Sequence, residues 1–217
     1  MGRRNFYGRR TGRRLRPGQQ RLMEELLPRL RLDPDRPPPG PLWLEIGFGA
    51  GEHLAWQAEA HPEATIIGCE VYRNGIAGLL GQVERRKLAN VRVWPEDARD
   101  LIDRLPGRSV GRVFLLFPDP WPKARHAERR FIGPANLAGL ARIMVPGAEL
   151  RLATDDPTYL AWTLAQVPAH PAFRRLAEGP EDWRRRPPDW PPTRYEQKAL
   201  KEGRRPAYLR FERRDAA

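Results

Sequence analysis

The chain is poor in cysteine, in long apolar runs and, at its beginning, in acid. Of its 217 residues one is a cysteine, Cys69. A single thiol excludes an internal disulfide and any cysteine-based zinc site. The four histidines are scattered, and none pairs with another at ligand spacing. These shortages predict a reduced protein of the cytoplasm that holds no metal. No apolar stretch approaches the ~18 residues that a membrane span needs. The basic start is followed by no apolar core, which argues against a secretory signal. The first acid is Glu24, and residues 1–17 carry Arg3, Arg4, Arg9, Arg10, Arg13, Arg14 and Arg16.

Positive charge is what the chain has in excess. Thirty-nine Lys and Arg face 27 Asp and Glu, a net charge of +12. Such a surplus says nothing about fold, but it points to a polyanionic partner or a membrane surface. The 40% hydrophobic content is enough for one sizeable core. Residues 1–17 hold too little apolar surface to join that core and are expected to be a mobile arm. Phe6 and Tyr7 among its arginines suit phosphate contacts combined with base stacking.

Residues 18–217 read as a single domain. Apolar spacing predicts a helix over 18–32, disturbed in its last turn by Pro28, and a stiff proline-rich linker follows at 36–41. Short apolar runs at 42–46, 64–69, 91–94, 113–117 and 149–153 alternate with helical patterns at 52–60, 73–88, 98–105 and 128–144, the last interrupted near Gly133 and Pro134. Asn90 is expected to end the second of these helices in a left-handed conformation. The alternation predicts an α/β fold with a doubly wound, mostly parallel sheet. Residues 208–211 read as an antiparallel strand at the C-terminal edge. Residues 168–192, rich in proline, arginine and tryptophan, read as a long loop.

Acids end the first three strands. Gly47, Gly49 and Gly51 form a glycine turn after the first. Glu52 stands where a dinucleotide fingerprint needs glycine or alanine, which excludes NAD and FAD. Glu45 is placed for a cationic ligand. Glu70, at the end of the second strand, sits where a carboxylate takes ribose hydroxyls. Asp97 follows the third strand and suits either a helix cap or an adenine amino group. After the fourth strand, Pro118, Pro120 and Pro122 stiffen a turn that presents Asp119 and Trp121. A ligand with a cationic end, a ribose and an adenine fits this set, and S-adenosylmethionine is such a ligand.

The motifs RRTGR and LRPGQQ near the start, LEIGFGAG, CEVY, FPDPWPKARH, LATDD and TRYE span nearly the whole chain. By them the sequence resembles the bacterial tRNA (guanine-N7-)-methyltransferase family, which modifies a guanine in the variable loop. The resemblance implies a seven-stranded class I methyltransferase sheet of Rossmann-like form, with S-adenosylmethionine as cofactor and tRNA as partner. It implies that Glu45, Glu70, Asp97 and Asp119 surround the cofactor. Asp119 is also the candidate catalytic group, because a methylated guanine is cationic and a nearby carboxylate stabilises that charge. The resemblance further implies that Lys123, Asp155, Thr193, Arg194, Tyr195 and Glu196 meet the substrate, and that Arg125, His126, Arg129 and Arg130 touch RNA. Ala124 stands where the family usually has a second lysine, and Glu128 interrupts the basic run. The competing readings are an N6-adenine or N4-cytosine methyltransferase, whose motif resembles the proline turn, and a basic RNA-binding protein without catalysis.

Overall fold

The computed structural model describes residues 7–177 and 179–215. Five strands, β1 (Leu42–Ile46), β2 (Thr65–Cys69), β3 (Val91–Trp94), β4 (Val110–Leu116) and β5 (Met144–Thr154), pair in parallel. The short β6 (Phe173–Arg175) and the longer β7 (Ala207–Arg213) complete the sheet. β7 runs antiparallel to β5, and β6 antiparallel to β7. Across the sheet the order is β3-β2-β1-β4-β5-β7-β6.

All five residues of β1 are buried, as expected of a central strand covered on both faces. The two-residue period divides them. Leu42, Leu44 and Ile46 join α5 (Ala98–Arg104), α6 (Pro134–Ile143) and α7 (Pro157–Ala169) on one face. Trp43 and Phe114 of β4 join α1 (Pro17–Glu25), α3 (Glu52–Ala60) and α4 (Arg73–Arg86) on the other. Asn90 does not end α4. Lys87 takes the left-handed conformation, with φ of 54°, and the Asn90 amide instead donates to the carbonyls of Ala58, His61 and Ala64.

The remaining departures from the sequence reading also have physical causes. The helix expected over 18–32 is two, α1 and α2 (Leu27–Leu30), because Pro28 has no amide to continue the first. The helix expected from 128 begins at Pro134, a favoured first helical position, and residues 124–129 form a 3₁₀ turn instead. The expected loop at 168–192 contains β6 and α8 (Pro180–Arg184), so β7 lies one place in from the edge. Described residues of the arm are docked. The Arg73 amide donates to the Arg10 carbonyl at 3.0 Å, and the Gly12 amide donates to Asn74 Oδ1 at 3.0 Å. Residues 1–6 lie outside the described region, and with them the expectations for Arg3, Arg4 and Phe6. Among the described residues no helix is long and apolar enough to cross a membrane.

Candidate active site

A cleft of about 740 Å³ opens at the carboxyl ends of β1, β2 and β4. Strand order reverses between β1 and β4, where open α/β sheets bind their ligands. Gly47, Gly49, Glu70, Asp97, Asp119, Arg129, Arg130, Arg194 and Tyr195 all line it, so residues far apart in sequence share one wall.

The glycine turn takes left-handed backbone at Gly47, Gly49 and Gly51, with φ of 71°, 58° and 77°. Gly51 does not reach the cleft. A Cβ there would stand 2.7 Å from Leu79 Cδ1, so its task is the close packing of α3 on α4. Glu70 ties the turn to the next helix. Its Oε2 accepts from the Gly49 amide at 3.0 Å, and Oε1 accepts from the amides of Val71 and Tyr72 at 2.8 and 3.0 Å. Burial pushes the Glu70 carboxyl above its ordinary range, the three amides pull it back, and the Asp119 charge adds to the rise. Asp97 caps α5 by accepting from the Arg99 amide at 2.9 Å, and it also pairs with the Arg99 guanidinium.

The turn after β4 is strained. Phe117 and Trp121 adopt φ of 50° and 43°, a region that costs a non-glycine residue on the order of 1 kcal/mol or more. The Phe117 amide donates to the Ala153 carbonyl at 2.7 Å and fixes one end. Arg130 fixes the other by donating to the carbonyls of Pro120 and Trp121. Between these anchors Asp119 is exposed toward the cleft.

Other expected site residues lie elsewhere. Glu45 sits on the opposite face of β1 from Ile46, is 2% exposed and pairs with His53 Nδ1 at 2.8 Å. His53 in turn meets Gln57, which donates to the Asp189 carbonyl. Strand alternation therefore sends Glu45 into the core, toward His53 and away from the lining of the cleft. Asp155 pairs with Arg204 in a separate hollow with Arg184 and Arg205. Thr193 and Glu196 are buried and form the capping box of α9 (Arg194–Lys201). Glu196 also accepts from the Tyr208 hydroxyl and pairs with Arg186 at 3.0 Å. The inward turn of these two residues leaves Arg194 and Tyr195 at the cleft. Lys123, Arg125 and His126 lie beyond its lining, with Lys123 and Arg125 exposed. Tyr7, Gly8 and Arg9 line the cleft, which composition could not signal because the arm is held by residues far along the chain, Tyr7 by Trp121 and Arg129 and the following Arg10 and Gly12 by Arg73 and Asn74.

The sequence profile of a family described as "Putative methyltransferase" matches residues 39–208. A curated protein of Rhodospirillum rubrum named tRNA (guanine-N(7)-)-methyltransferase is 53% identical over 98% of this chain and 89% of its own. A protein of the same name from Granulibacter bethesdensis is 53% identical over 96% of this chain and 95% of its own. Among solved structures, an rRNA methylase from Streptococcus thermophilus superposes with a TM-score of 0.55 over 94% of this chain and all of its own. At 11% identity that likeness speaks for the fold alone.

Proposed function

The chain belongs to the tRNA (guanine-N(7)-)-methyltransferase family, and on that premise we propose that it methylates N7 of a guanine in the variable loop of tRNA. The methyl donor is S-adenosylmethionine, and the second product is S-adenosylhomocysteine. The observation that carries the reading is the convergence of Glu70, Asp97 and Asp119 on one cleft beside the glycine turn.

The residues present fit this cofactor. Gly47 has open space where a Cβ would stand, so backbone can approach a ligand there. Glu70 has oxygen lone pairs to spare for ribose hydroxyls after its three amide bonds, and Asp97 is at hand for the adenine amino group. When bound, the cofactor supplies an electrophilic methyl on a sulfonium. The protein has little acid–base work to do, because guanine N7 carries an in-plane lone pair and no proton at neutral pH. Its task is alignment and exclusion of water. A methylated guanine is cationic, so the Asp119 carboxylate stabilises the charge that develops on the base. Its rigid turn holds that carboxylate in place before reaction. Trp121 and Tyr195 offer ring faces on which an extruded base can stack. Exposed Lys123 and Arg125 and half-buried Arg129 suit RNA phosphates nearby.

Transfer of labelled methyl to bulk tRNA, followed by digestion to nucleosides, tests the reading. The label is expected in N7-methylguanosine. Label in N6-methyladenosine or N4-methylcytidine would replace it with one of the competing activities.

A further inference from the structure

We propose that residues 7–13 form a strap across the cofactor cleft, with Tyr7 as its clasp, so that cofactor retention depends on the N-terminal arm. The proposal rests on the methyltransferase reading above. On composition, the arm is expected to serve RNA alone.

The first support is position. Tyr7, Gly8 and Arg9 line the same cleft as Glu70 and Asp119. The second is a set of ties beside Glu70. The Arg73 amide donates to the Arg10 carbonyl at 3.0 Å, the Gly12 amide to Asn74 Oδ1 at 3.0 Å, and Asn74 Nδ2 to the Arg13 carbonyl at 2.7 Å. Arg73 and Asn74 open α4, next to the Val71 and Tyr72 amides that hold the Glu70 carboxylate. The approach is close. A Cβ on Gly12 would stand 2.2 Å from the Tyr72 hydroxyl. The third support lies on the far side. The Tyr7 ring meets the Trp121 ring edge-on, at 6.2 Å between centroids and 71° between planes. The Arg129 guanidinium lies over both rings, at 4.4 Å from Tyr7 and 5.0 Å from Trp121.

The strap is thus pinned to the helix that follows Glu70 and clasped to the turn that carries Asp119. It also bears Arg9 and Arg13, both exposed. RNA phosphates that engage these cations bear on the segment that walls the cofactor.

Calorimetric titration of S-adenosylhomocysteine into the full chain tests the strap, alongside melting of each ligand-free variant. Tyr7→Ala and Asn74→Ala are each expected to weaken binding about tenfold. Tyr7→Phe should bind as the unaltered chain does, because the ring rather than the hydroxyl makes the clasp. Melting of ligand-free Tyr7→Ala should not change, since Tyr7 is 44% exposed. Should Asn74→Ala fail to fold, Tyr7→Ala alone decides. Unaltered affinity in Tyr7→Ala overturns the strap. An unaltered chain that binds no S-adenosylhomocysteine contradicts the parent reading instead.

Discussion

Arg130 holds the backbone of Trp121, its Nη2 donating to the Trp121 carbonyl at 3.0 Å. Its Nε donates to the Pro120 carbonyl at 3.1 Å, and the guanidinium lies over the Trp162 ring at 4.7 Å. At 7% exposure this arginine is part of the fold, and a planar fork of donors suits two carbonyls at once. The basic run after Asp119 is therefore divided. Arg125 faces solvent, Arg129 stacks within the cleft, and Arg130 braces the strained turn at the cleft wall.

Arg130→Lys keeps the charge and loses the fork. It is expected to destabilise the protein by about 1–3 kcal/mol and to slow methyl transfer, through carbonyls left unpaired and a loosened turn. The salt dependence of tRNA binding should stay as it was. Denaturant unfolding and tRNA titration across salt concentrations check this. A fully stable variant whose salt slope falls by about one phosphate contact would return Arg130 to the RNA interface.

Glu149 sits between two arginines on the sheet. Burial alone would push its carboxyl up, but hydrogen bonds and charge from Arg210 and Arg151 outweigh burial and hold it down at about 2. A depressed carboxyl contributes stability above its ordinary value of 4.5 and loses that contribution as pH falls toward 2. Glu149→Gln should thus be less stable at neutral pH, by on the order of 2 kcal/mol. The gap to the unaltered protein should close between those two values. Thermal melts across that window test it, and a gap independent of pH would show that the charge on Glu149 contributes nothing.

Asp119 stands on the braced turn with its carboxylate exposed to the cleft. Asp119→Asn keeps shape and removes charge. Single-turnover methyl transfer is expected to slow on the order of 10²-fold, as for other preorganised electrostatic groups. Melting temperature and tRNA affinity should hold. A near-normal rate in this variant would leave Asp119 as a turn residue only.

The parallel strands were legible because segments such as Leu42–Ile46 are buried on both faces and read as continuous apolar runs. That Glu70, Asp97 and Asp119 would meet at one cleft was legible because strand ends face the switch point whatever the helices do. What failed to show was side-chain direction. Glu45 is adjacent to Ile46, yet one step along a strand reverses the face, and only the position of His53 reveals which way it points. Thr193 and Glu196 stand in one motif with Arg194 and Tyr195, but capping chemistry turns Thr193 and Glu196 inward. β6 is three residues long and exists through its pairing with β7, so no local pattern announces it. The docking of residues 10–13 on Arg73 and Asn74 is likewise a long-range event.

The central claim is that guanine N7 is the methyl acceptor, and removing that one atom tests it most directly. Methyl transfer is to be measured on tRNA transcribed with 7-deazaguanosine, which replaces N7 by a C–H group, beside the same tRNA made with guanosine. Competition between the two tRNAs for the protein confirms that both still bind. The account predicts full transfer to the guanosine tRNA and none to its 7-deaza counterpart. Equal transfer to both would mean that the methyl group goes to another atom.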